Sequence, residues 1–148
     1  MEANVPEGFV AWPLGGGFAE AFGPVYVNHA ARAMGFWIAP RHLNPVGVCN
    51  GGAMATFADM QIAAVIVGSP GTSEGHQPTI SLQVDYLATA PLGAWVQAAV
   101  TLVKTTKTLI FTQALFTADA DIVARSQAIY RNYGRGVAAG AASAESKS

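Results

Sequence analysis

From Gly52 to about Val67 the chain runs through Ala, Met, Phe, Ile and Val with no proline and no strand alternation. Only Thr56, Asp59 and Gln61 break the apolar run, so the spacing predicts one long helix, apolar on nearly every side and held in a core. Gly68-Ser69-Pro70-Gly71 stops it, and a loop carrying Glu74 and His76 follows. The pattern then switches to a period of two. TISLQVDYLA from Thr79, then AWVQAAVTLVK, TLIFTQALFTA and IVARSQAIYRN read as four long strands, with APLG, TTK and DAD between them. Connectors this short predict antiparallel neighbours. Upstream, VYVNH and AMGFWIA are two short strands that suit a hairpin, FAEAF (Phe18–Phe22) is one helical turn stopped by Gly23-Pro24, and PRHLNPVGVC is loop.

A helix so apolar needs a sheet around it, which predicts an α+β domain with an antiparallel sheet wrapped on one central helix. We expect an extended lead-in at 1–17, the folded domain at 18–135 and a disordered tail at 136–148, where the sequence is small and polar. With 51% hydrophobic and only 11% charged residues, polar surface is scarce, so the chain is expected to cover part of itself with another copy. The net charge of -1 gives no electrostatic case for nucleic acid or an anionic membrane. The N-terminus lacks a basic stretch followed by an apolar run, and Ile62 to Ser73 is too short to span a bilayer, so neither a signal peptide nor a membrane span is expected. Cys49 is the single cysteine, which rules out an intrachain disulfide and suits a reducing, cytoplasmic setting.

The inventory of reactive groups is small. There is no G-x-S-x-G elbow, phosphate-binding loop, dinucleotide fingerprint or paired-His motif, and no cofactor is expected. His29, His42 and His76 are scattered and read as surface or capping residues, with no metal site among them. Asp59 reads two ways: a structural carboxylate, either buried and satisfied locally or exposed on a helix less buried than the pattern suggests, or a general base or nucleophile whose proton affinity an apolar setting raises. Gly52, Thr56, Asp59 and Ala63 share one helix face of small or polar residues, which leaves room for a ligand beside the acid. Gly51 and Gly52 also read two ways. They permit tight packing behind an Asn50 N-cap, or they clear the way to the unpaired N–H groups of a first helical turn, where a developing oxyanion can sit.

Taken together, HLNPVGVCNGG followed by AMATFAD resembles the signature of hotdog-fold acyl-CoA thioesterases of the PaaI-like group. That pattern is an Asn in a loop, a few residues, His-Gly-Gly, and an acid seven positions after the second glycine. Asn44, Gly51, Gly52 and Asp59 fill those places, and Asn50 stands where the family has histidine. TISLQVDYLATAPLG and VKTTKTLIFTQ extend the likeness, which covers roughly residues 23–131.

The resemblance implies hydrolysis of an acyl-CoA thioester. Asp59 would act as base or nucleophile, the Gly51 amide as oxyanion donor with Asn44 nearby, and Thr79 would orient water. Asn50 and Gly52 would border the substrate. It implies a site shared across a homodimer, with dimers able to pair further. Lys104, Lys107, Arg131 and Arg135 are candidates for the CoA phosphates. Asparagine at position 50 caps a helix but does not titrate near neutrality, so activity or substrate range is expected to differ from relatives with histidine. Two other functions stay open at this point: a hotdog dehydratase or hydratase, and a non-catalytic acyl-CoA binding protein.

Overall fold

A computed structural model describes residues 4–72 and 75–133 of the chain. Glu74, Arg135 and the expected tail at 136–148 lie outside the described residues. The strands are β1 (Val10–Ala11), β2 (Tyr26–Asn28), β3 (Ala33–Trp37), β4 (Thr79–Tyr86), β5 (Trp95–Thr105), β6 (Leu109–Ala118) and β7 (Asp121–Arg131). They form one sheet in the order β1-β2-β3-β5-β6-β7-β4, and each neighbouring pair is antiparallel. A short helix α1 (Gly17–Phe22) precedes β2. The central helix fills residues 51–66 as α2 (Gly51–Asp59), a 3-10 turn (Met60–Ile62) and α3 (Ala63–Ile66).

Alternation puts the even-numbered residues Val96, Ala98 and Val100 of β5 and Ile110, Ala114 and Phe116 of β6 on the inner face, where they are buried. Phe57 is the anchor of the helix. Its ring lies 4.6 Å from that of Phe36 and 5.8 Å from that of Phe116, and none of its surface is exposed. Replacing such a ring by Ala costs about 3–5 kcal/mol. The wrapped helix predicted from the pattern is therefore present.

Three features differ from the sequence reading. The sheet takes in Val10 and Ala11, which pair with Val27 and Tyr26, within the stretch expected as lead-in. The loop after β4 does not return to an adjacent strand. Leu87 and Ala88 both donate their N–H to the Val123 carbonyl, Cys49 N–H bonds Ala90, and Gly93 N–H reaches Ile38, so the chain crosses the end of the sheet. That crossing puts β4 on the outer edge against β7, and β3 beside β5. Third, the helix is not apolar all round: Gly51, Gly52 and Asp59 are all exposed in the single chain, so the acid is not the buried carboxylate the pattern suggested.

Candidate active site

Asn50 begins the helix as its N-cap, with extended backbone, and its Oδ1 accepts the Gly52 N–H at 2.7 Å. That bond satisfies one of the orphan donors of the first turn and leaves the Gly51 amide at the open end. Neither Gly51 nor Gly52 has a positive φ, so conformational freedom does not explain them. Steric exclusion does not explain Gly51 either, because a Cβ there would meet only the Tyr86 ring and hydroxyl, at an ordinary 3.5 Å. A Cβ on Gly52 would come within 3.0 Å of Asn50 Oδ1, close enough to disturb the cap.

Asn44 sits in the loop below this end. Its Oδ1 accepts the N–H groups of Val46 and Val48 at 3.1 and 3.2 Å, so its carboxamide holds the loop in shape. His42 is buried against the Phe22 and Phe36 rings, its Nδ1 accepting the Ala39 N–H and its Nε2 facing the Phe22 carbonyl at 2.6 Å. With an N–H donated to Nδ1, the ring is the neutral tautomer protonated at Nε2. Burial above all lowers its pKa below the usual histidine value. It is a capping residue of the Pro40–His42 turn and is not at the surface. Burial also pushes the Cys49 thiol up to about 11, so at neutral pH it is not a thiolate nucleophile.

At the other end of α2 the Thr79 hydroxyl donates to Asp59 Oδ1 at 2.7 Å. The sequence separates these residues by a helix turn, a loop and a strand start, and the fold brings them together. They border a groove of ≈ 590 Å³ that runs beside the helix, lined on its apolar wall by Ile62, Ile66, Trp12 and Leu14. His76 and Gln77 enter the same groove from the loop before β4. Trp12 and Leu14 come from the segment read as lead-in, and nothing in local pattern relates them to Asp59. The Trp12 N–H bonds the Val25 carbonyl at 2.8 Å, which fixes the segment to the fold.

Three further residues escaped the sequence reading. Tyr86, at the far end of β4, donates its hydroxyl to the Gly51 carbonyl at 2.6 Å. Tyr130 on β7 donates to the Asp59 main-chain carbonyl at 2.7 Å. Burial first, and the Asp59 charge second, hold the Tyr130 proton far above the ordinary tyrosine range, so it is a permanent donor. Gln61, fully buried, joins the helix to β6 and β7. Lys104, Lys107 and Arg131 lie at the hairpin end of β5, β6 and β7, and the Arg131 guanidinium stacks 5.5 Å over the Tyr133 ring.

The structure thus forms two clusters: Asn50, Gly51, Gly52 and Tyr86 at the start of the helix, and Asp59 with Thr79 at its end. Gly51 and Asp59 stand eight positions apart on the helix, about 12 Å along the axis at 1.5 Å per residue.

An antiparallel sheet wrapped on one central helix, with an acid at the helix flank, is the hotdog arrangement. The Thioesterase superfamily pattern matches residues 46–124, more than half of the chain. The chain belongs to that superfamily and is a thioester hydrolase. A Pseudomonas aeruginosa protein, provisionally named an esterase, is 25% identical over 132 residues, spanning 86% of this chain and 96% of its own. Among solved structures, a variant of the phenylacetic acid degradation protein PaaI from Thermus thermophilus superposes with a TM-score of 0.60 at 18% identity, covering 84% of this chain and 93% of that one. A thioesterase of Streptococcus pneumoniae solved with coenzyme A gives 0.62 at 16% identity, covering 86% and 90%.

Proposed function

We propose that this chain hydrolyses acyl-CoA thioesters, with Asp59 as general base or nucleophile and the Gly51 amide as donor to the carbonyl oxygen. The observation that carries the proposal is the Asp59–Thr79 pair, held at 2.7 Å at the side of an apolar groove large enough for an acyl group. As a base, Asp59 takes a proton from water held by Thr79, and the water oxygen attacks the thioester carbon. Collapse breaks the C–S bond, and the proton returns to the CoA thiolate. As a nucleophile, the Asp59 carboxylate attacks the thioester carbon, the C–S bond breaks to release CoA thiolate, which takes up a proton, and water opens the resulting anhydride to the free acid and the Asp59 carboxylate. Asn44 keeps the loop under the helix start in place, and Asn50 and Gly52 border the carbonyl. The streptococcal relative that binds coenzyme A has also been solved with an aspartate and, separately, a threonine replaced by alanine.

About 12 Å of helix cannot be spanned by one carbonyl, so the donor and the acid that act on it come from two chains. β4 supports this. Its Thr79 end touches Asp59 and its Tyr86 end touches Gly51 of the same helix. It is an edge strand, with Ile80 55% and Tyr86 54% exposed and no lysine or proline within it to blunt the edge. Antiparallel pairing of two β4 strands about Leu82–Gln83 brings the Thr79 end of one against the Tyr86 end of the other. The Asp59 of one chain then lies beside the helix start of its partner, and two sites form per dimer. Dimers pair further through other faces. Lys104, Lys107 and Arg131, at the hairpin end of β5, β6 and β7, are available to the CoA phosphates. A cytoplasmic setting fits a free thiol, and among the described residues no helix is long and apolar enough to cross a membrane.

The test is steady-state hydrolysis of aliphatic and aryl acyl-CoAs by wild type, Asp59→Asn and Asp59→Ala. The expected loss in kcat for both variants is about 100-fold or more. A wild type inactive on every thioester, or folded variants at full rate, would end the proposal. Tight binding without turnover would leave a non-catalytic acyl-CoA carrier. His76 in the same groove favours one second reading, hydration of an enoyl-CoA, which product analysis with that substrate separates from hydrolysis.

A further inference from the structure

The central helix changes its winding at the acid. α2 ends at Asp59, the 3-10 turn covers Met60–Ile62, and α3 resumes at Ala63. At the two ends of the turn, the Met60 N–H reaches the Phe57 carbonyl and the Ala63 N–H that of Met60, each three residues back. No glycine or proline lies between Phe57 and Ile66, so no helix breaker accounts for the change. Without one, insertion of a polar group into the ladder is an ordinary cause.

Two side chains supply such groups. The Tyr130 hydroxyl donates to the Asp59 carbonyl at 2.7 Å. The Gln61 Nε2 donates to the Ala58 carbonyl at 2.8 Å and to Ser126 Oγ at 2.9 Å, while its Oε1 accepts the Thr112 hydroxyl at 2.9 Å. The carbonyls of the acid and of its predecessor are therefore both held by side-chain donors, one reaching in from β7 and the other anchored to β6 and β7. Gln61 has no exposed surface and Tyr130 only 1%. A buried carboxamide repays its desolvation only when its partners are all in place, and a methionine would fill the same space with less at stake. The network costs specificity of placement, and what it fixes is the backbone under Asp59.

We infer that Tyr130 and Gln61 are positioning residues for Asp59: they clamp the Ala58 and Asp59 carbonyls to the sheet and so hold the carboxylate at Thr79 and the groove. The inference rests on the reading of Asp59 as base or nucleophile. Neither residue needs to touch the reacting atoms. Tyr130 and Gln61 act through the main chain, which predicts an effect on kcat that vanishes when the carboxylate is gone.

The experiment is a double-mutant cycle of Tyr130→Phe with Asp59→Asn, read by kcat, KM and thermal melting. Tyr130→Phe alone is expected to lower kcat by about tenfold or more with KM unchanged, since a displacement near 1 Å costs on the order of 100-fold. In the Asp59→Asn background the same change is expected to lower the residual rate less than about twofold, while its effect on melting temperature is the same in both backgrounds. An unchanged kcat for Tyr130→Phe, or an equal loss in both backgrounds, overturns the inference while leaving the role of Asp59 intact. Full activity of Asp59→Asn itself overturns the underlying reading instead. Should Tyr130→Phe fail to fold, Ser126→Ala removes one anchor of Gln61 without lining the groove and enters the same cycle under the same two criteria.

Discussion

Gly51→Ala should make the protein more stable and less active at once. The glycine lies at the first position of α2 with ordinary helical backbone, so Ala enters without strain. Its methyl meets Tyr86 Cζ and Oη at 3.5 Å, ordinary van der Waals contact, and displaces nothing. A Gly to Ala change at a compatible site gains about 0.4–1 kcal/mol, chiefly by restricting the unfolded chain. For a domain of this size that is a rise of roughly 1–4 °C in melting temperature. On the proposed mechanism the same methyl stands beside the amide that the thioester oxygen approaches to within roughly 3 Å. A carbonyl pushed back by about 1 Å loses on the order of 100-fold in kcat/KM. Circular dichroism melts and a thiol-release assay on acyl-CoA measure both quantities on one preparation. A lower melting temperature would mean the glycine is there for packing. A raised melting temperature with unchanged kcat/KM would mean that no substrate approaches the Gly51 amide, and the oxyanion assignment would fall. Gly52→Ala is the contrast, because its Cβ comes within 3.0 Å of Asn50 Oδ1 and the cap must yield, so no gain in stability is expected.

Asn50→His supplies the histidine of the signature this chain resembles; it is expected to raise kcat and to add a titration between about pH 5 and 8 to the rate profile, and a flat profile would show that position 50 only caps the helix. Trp12→Ala opens the apolar wall of the groove, so KM should rise for long or aryl acyl-CoAs and stay level for acetyl-CoA; equal changes for all would place the acyl group elsewhere. His42 titrates with a lowered pKa because burial, the largest cause, disfavours its charged form, and the Arg41 charge adds to this against the Phe22 carbonyl. The unfolded chain therefore binds the proton first, at about pH 6.5, so this contribution to stability is complete above that pH and is lost as pH falls through the folded value. Urea melts between pH 5 and 7.5 should show this slope, and His42→Gln should flatten it.

Much of this architecture was legible because the pattern that carries it is local. The helix from Gly52, its Gly-Pro stop and the alternation of β5, β6 and β7 depend on neighbours a few residues apart, and the acid stands seven positions after Gly52 in a recognisable motif. What was missed depends on distant contacts. The place of β4 against β7 is set by backbone bonds of Leu87 and Ala88 to Val123, which no strand pattern encodes. The exposed Asp59 meets Thr79 at the start of the edge strand β4, a contact twenty residues away in sequence. No local pattern singles out Tyr86 and Tyr130, and only their hydroxyl partners, 35 and 71 residues away, bring them to the candidate site. Gln61 was read as an interruption of an apolar run, whereas it is the residue that joins the run to the sheet.

β4 touches the helix at both ends, through Thr79 on Asp59 and Tyr86 on Gly51. It is a ruler as well as an edge. The ladder already absorbs one extra residue between Thr79 and Ser81, and one more added or removed in the regular run from Ser81 to Tyr86 would turn part of the strand to its other face and break at least one of those contacts. The strand's length is thus tied to that of the helix, and the two can vary only together. The tips of the β5–β6 and β6–β7 hairpins and the segment bearing Trp12 carry no such constraint. Divergence in substrate range within this scaffold should therefore accumulate in the wall of the groove, while the interval from position 79 to position 86 stays fixed.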